Sequence, residues 1–107
     1  DDTEGVQAPK NRLQFIGLAE NLAPLAELRK EVDDDSSNLQ SRLDLAYRFI
    51  VDDQIEAALD QLLAILKVDR DWQEQKARTT MIQVFELLGK GNELATAYRR
   101  KMFTFLH

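Results

Sequence analysis

Residues Leu39 to Val68 read LQSRLDLAYRFIVDDQIEAALDQLLAILKV, two apolar-periodic runs joined by Asp52-Asp53-Gln54. At about 100° per residue the first run places Leu39, Leu43, Ala46, Tyr47, Phe49 and Ile50 on one arc, which Leu45 and Val51 widen further. The second run gathers Ile55, Ala58, Leu59, Leu62, Leu63, Ile65 and Leu66 on a single face, with Asp60, Gln61 and Lys67 away from its centre. So short a polar link folds the two helices back as an antiparallel hairpin. The breadth of the first helix's apolar face means that it needs a neighbour on each side. The hairpin is therefore expected to sit between further helices, as a helical repeat does.

Its spacing resembles a tetratricopeptide repeat. Leu45-Ala46 stands for the Leu-Gly pair of that repeat, Phe49 for its Tyr, Ala58 for its Ala and Leu62 for its Phe. Small side chains at Ala46 and Ala58 let the two helices approach closely. Arg42 stands where the Trp belongs and Arg70 where the closing Pro belongs, so the repeat departs from its consensus at both ends. The expected fold is all-α: antiparallel helical hairpins stacked as a short tetratricopeptide-like array.

Outward from this centre, Asp1 to Pro9 is acidic, small and unpatterned, and reads as a disordered or linker end. Residues 10–107 then form a single helical domain. A helix is predicted over about residues 10–20, a break near Asn21 to Ala23 ahead of Pro24, and a shorter helix to Val32. Leu13, Ile16, Leu22, Leu25, Leu28 and Val32 are expected to cover one side of the hairpin. Beyond it, a helix from about Trp72 to Leu88 carries Ala77, Met81, Val84, Phe85 and Leu88 as its stripe. Gly89 is expected to end that helix as a left-handed cap, and Asn92 to cap the last one. Trp72 reads as packing between the hairpins.

Chemistry is scarce. The 107 residues contain no Cys and one His, the terminal His107, which reads as a solvated end. There is no Gly-rich phosphate loop, so no catalytic residue, cofactor or metal is assigned. Asp33, Asp35 and Ser37 alternate like calcium-loop ligands, but that loop needs a Gly at its sixth position and a Glu at its twelfth. Asn38 and Asp44 stand there, and an N-cap at Ser37 or Asn38 accounts for the run without a metal. No apolar run approaches the roughly 20 residues of a membrane span. The first residue is Asp rather than Met, so a fragment or processed product is expected.

The net charge of −5 is uneven. Residues 1–60 hold 14 acids and 6 bases, whereas residues 61–107 hold 5 acids and 8 bases. The acidic half argues against nucleic acid, and the basic end can steer an acidic partner. On the last helix, Leu94, Tyr98, Met102, Phe105 and Leu106 spread over an arc of roughly 120° that should face the domain, and Phe103 falls about 180° from Leu94. An outward aromatic beside Arg99 and Arg100 has the composition of a docking site, so these three residues are the candidate partner-binding set. The alternative is that Phe103 tucks against Phe85 or Ile82.

Val68-Asp69-Arg70-Asp71-Trp72, Ala77-Arg78, Phe85-Glu86-Leu87-Leu88-Gly89 and Tyr98-Arg99-Arg100-Lys101, in that order, resemble the C-terminal helical domain of the YbbN/CnoX family of bacterial thioredoxin-like co-chaperones. The resemblance implies a cytoplasmic holdase that passes unfolded clients to chaperonin and Hsp70. It also implies a separate N-terminal thioredoxin-like domain holding any redox chemistry, and a last helix that docks on chaperonin. A structural role is the competing expectation, with the helices building a homo-oligomer or bracing the neighbouring domain.

Overall fold

The computed structural model describes residues 3–106, with side chains from Lys10 onward; Asp1, Asp2 and His107 lie outside the described residues. Six helices follow one another among the described residues, with no strand: α1 (Thr3–Ala19), α2 (Leu25–Asp34), α3 (Leu39–Val51), α4 (Ile55–Val68), α5 (Lys76–Leu88) and α6 (Glu93–Thr104). The hairpin α3–α4 is the centre. α3 also packs against α1 and α2, and α4 against α5 and α6. The Cα radius of gyration, 13.4 Å, is close to the roughly 13 Å of a compact globule of this length.

The hairpin forms as its periodicity requires. Leu43, Leu45, Ala46, Tyr47, Phe49 and Ile50 of α3 are buried, as are Ala58, Leu59, Leu62, Leu63, Ile65 and Leu66 of α4. Ala46 and Ala58 are both 0% exposed, which is where a larger side chain would force the helices apart. α3 ends in a Schellman motif. Asp53 takes a left-handed φ of 63°, its N–H donates to the Ile50 carbonyl (3.1 Å), and the Gln54 N–H donates to the Phe49 carbonyl (2.7 Å). The two arginines that depart from the repeat consensus have their own work. Arg42 donates to the Ser36 carbonyl (2.8 Å) and to Gln61 Oε1 (2.9 Å), tying the α2–α3 loop to α4. Arg70 donates to the Leu106 carbonyl (2.9 Å) and holds the end of the chain against the α4–α5 junction.

The acidic run is turn and cap. Asp35 Oδ1 accepts from the Ser37 N–H (3.1 Å) and hydroxyl (2.6 Å), which holds its carboxyl below the usual carboxylate range. Asn38 caps α3 by accepting from the Ser41 N–H (3.1 Å).

Four expectations need correcting. α1 begins at Thr3 rather than near residue 10, so the backbone of residues 3–9 is helical and runs through Pro9. Proline removes one intrahelical hydrogen bond without forbidding the turns on either side. α1 also presents a different face. Leu13 is 70% and Ile16 46% exposed, whereas Asn11, Phe15 and Ala19, spaced four apart, are buried. The aromatic ring and the amide find partners on α3 and α5, and a pattern of aliphatic residues alone does not register that. α5 starts at Lys76 instead of Trp72, because Gln73, Glu74 and Gln75 all adopt left-handed φ (48°, 57° and 66°). Trp72 stays half-buried against the core in that turn. Gly89 does end α5, but at φ 93° and ψ 166°, outside the left-handed helical region and in one reserved essentially for glycine.

Candidate protein-interaction surface

α6 is held to the body by its buried stripe Ala95, Tyr98 and Met102, with Leu94, Phe105 and Leu106 partly buried beside it. Asn92 starts the helix by accepting from the Ala95 N–H (3.0 Å). The Tyr98 hydroxyl crosses to α4, donating to Asp60 Oδ1 (2.5 Å) with Glu56 Oε2 at 3.5 Å. Burial, and then the Asp60 carboxylate beside it, push the Tyr98 phenol well above its ordinary range, so it stays a donor at any physiological pH.

With α6 clamped this way, its Arg99, Met102 and Phe103 side and the neighbouring face of α5 frame a groove of about 360 Å³. Ile82, Phe85, Met102 and Phe103 supply its apolar lining, and Arg78, Glu86, Lys90 and Arg99 its charged edge. Gly89 and Gly91, with φ of 93° and 82°, make the tight turn that closes one end. Phe103 is 46% exposed and Ile82 39%, so both present apolar surface to solvent. The Arg99 guanidinium stacks over the Phe85 ring at 5.0 Å, which fixes the cation at the groove wall. Arg78 Nη1 donates to Gln75 Oε1 (3.2 Å), while its Nε is buried and has no hydrogen-bond partner among the described residues.

Of the three residues singled out from sequence, Arg99 and Phe103 come together on this groove. Arg100 is exposed but does not line it. Phe103 shares the groove with Phe85 and Ile82 without being buried by them. Sequence reasoning named Ile82 only as a possible cover for Phe103, and missed Arg78 as a lining residue. Ile82 follows the buried Met81 and sits one step off the α5 stripe, an apolar residue on a polar flank. That was the available signal.

Residues 18–107 match a family model described as Tetratricopeptide repeat. No curated protein sequence and no solved structure matches the chain.

Proposed function

The chain belongs to the tetratricopeptide repeat family, and on that premise we propose that it is the partner-binding module of a cytoplasmic co-chaperone. Repeats of this kind generally mediate protein–protein interaction. In this reading the α5–α6 groove docks on chaperonin, with Hsp70 and unfolded clients as further partners. The YbbN/CnoX-like run of motifs from the end of α4 through α6 supports the choice of partner, and any redox chemistry is assigned to a separate thioredoxin-like domain.

The observation that carries the proposal is Phe103. It is an aromatic 46% exposed on a well-anchored helix, sharing a groove with the exposed Ile82 and a stacked Arg99. Aromatic and Arg side chains are the types that dominate binding energy at interfaces. Immobilised chaperonin should bind the wild-type domain, and Phe103→Ala should weaken that binding about tenfold or more, the effect of removing an interface anchor. Unchanged binding in a Phe103→Ala/Arg99→Ala double variant would refute this docking site.

A second reading has its own observation. Leu13 and Ile16 are exposed together on α1, so that face can pack against a second copy or brace a neighbouring domain. Light scattering over a concentration series decides it: a dimer abolished by Leu13→Glu favours the structural role, and a monomer throughout disfavours self-association.

A further inference from the structure

The α5–α6 groove carries charge as well as apolar surface, and the charge is mostly of one sign. Arg78, Lys90 and Arg99 line it against a single acid, Glu86, whereas the chain as a whole has a net charge of −5. Glu86 is already engaged, since its Oε1 accepts from Asn11 Nδ2 of α1 (2.9 Å). Among the described residues, neither Arg78 nor Arg99 makes an ion pair. Arg78 donates through Nη1 to the neutral Gln75 amide oxygen, and its buried Nε has no hydrogen-bond partner. Arg99 is held over the Phe85 ring instead of beside a carboxylate. Both guanidinium groups therefore keep donor capacity and charge that nothing in the fold uses.

The groove is also small. Its volume of about 360 Å³ lies near the lower end of the roughly 300–1,000 Å³ of ligand pockets. That is room for one or two side chains, not for the whole face of a helix. An occupant seats an apolar side chain beside Ile82 and Phe103 and lays its neighbouring residues along the cationic edge.

We propose that this groove selects an acidic segment of the partner protein, in which one large apolar side chain is flanked by side-chain carboxylates. The apolar side chain fills the groove, and the carboxylates pair with Arg78 and Arg99 in charge-assisted hydrogen bonds, which are stronger than neutral ones. A complementary charge also speeds encounter and rejects segments of the wrong sign. The inference rests on the docking reading above and adds the chemistry of what docks. It favours one defined acidic segment over the apolar stretches of unfolded clients.

The probe is an acetylated and amidated octapeptide with a central leucine flanked by aspartates, so every carboxylate it presents is a side chain. It is titrated into the isotope-labelled full chain and followed by amide chemical shifts. It should shift residues of α5 and α6, and bind at least about tenfold tighter than the same peptide with asparagine for aspartate. Raising the ionic strength to about 0.5 M should remove most of that difference. Arg99→Glu should weaken the aspartate peptide at least about tenfold. Glu86→Gln, which keeps an acceptor for Asn11 and removes the groove's acid, should tighten it about twofold. Equal binding of the two peptides overturns the proposal, as does aspartate-peptide binding that Arg99→Glu leaves unchanged. Failure here is separable from failure of the docking reading. Chaperonin binding that Phe103→Ala weakens, without any charge preference among peptides, overturns the selectivity alone. A charge-selective groove whose acidic peptide does not displace chaperonin supports the selectivity and overturns only the choice of partner.

Discussion

The central hairpin and the last helix are built from the same amphipathic pattern and end in opposite situations. α3 and α4 are enclosed, with neighbours against both, and Ala46, Ala58, Leu59, Leu62 and Ile65 are each 0% exposed. α6 is covered on one side. Its inner stripe meets α4 and α5, while Arg99 and Phe103 remain at the surface. The difference lies in packing, because helices covered on both sides spend their apolar surface on stability and a helix covered on one side keeps a face free for contact. Substitutions in the two regions should accordingly separate stability from binding.

The largest effect is expected at Leu62, fully buried in α4. Leu62→Ala should cost about 2–5 kcal/mol, the range for deleting an enclosed leucine side chain, read by urea denaturation. A loss under about 1 kcal/mol would mean that the hairpin is not the stability centre. Ala58→Leu comes next. Overpacking a seam with no free space should cost about 1–3 kcal/mol, a fall in Tm of roughly 4–8 °C per kcal/mol for a domain of this size. An unchanged Tm would show that α3 and α4 are not in close approach there.

Tyr98 tests the clamp between the two regions. Its folded pKa is raised, by burial first and then by Asp60, so the folded chain keeps a proton that the unfolded chain releases near pH 10. The stabilisation is complete below that pH and is lost progressively as the pH rises toward the folded value. Thermal melts between pH 8 and pH 11 should show wild-type stability falling above about pH 10, and Tyr98→Phe should flatten part of that decline. A remainder should persist, because burial also raises the Tyr47 phenol. At neutral pH, Tyr98→Phe should cost about 1 kcal/mol, a hydrogen bond to a carboxylate at an exposed residue. Equal alkaline profiles would place the pH dependence elsewhere. The smallest stability change belongs to Phe103→Ala, within about 0.5 kcal/mol as for a surface site. A cost of about 3 kcal/mol would instead mark Phe103 as core and remove the contrast with the hairpin.

What the chain's sequence determined by itself was whatever rests on neighbours a few residues apart. The bounds and buried faces of α3 and α4 follow from 3.6-residue periodicity, the start of α6 from Asn92, and the end of α5 from a glycine. The outward position of Phe103 follows from counting along one helix. Tertiary structure decided the rest. Which face α1 buries depends on Tyr47, Gln83 and Glu86, which lie 32 to 75 residues away and supply the partners that favour Phe15 and Asn11 over Leu13 and Ile16. Gln73 to Gln75 have ordinary helix-forming side chains, yet take left-handed backbone where α5 is brought back against α4. Such a conformation costs about 1–2 kcal/mol per residue, and packing of the flanking helices has to offset it. The α5–α6 groove arises the same way. Ile82 and Phe103 are 21 positions apart, and the packing of the α6 stripe, with the hydrogen bonds of Tyr98 and Arg70, sets them on one surface.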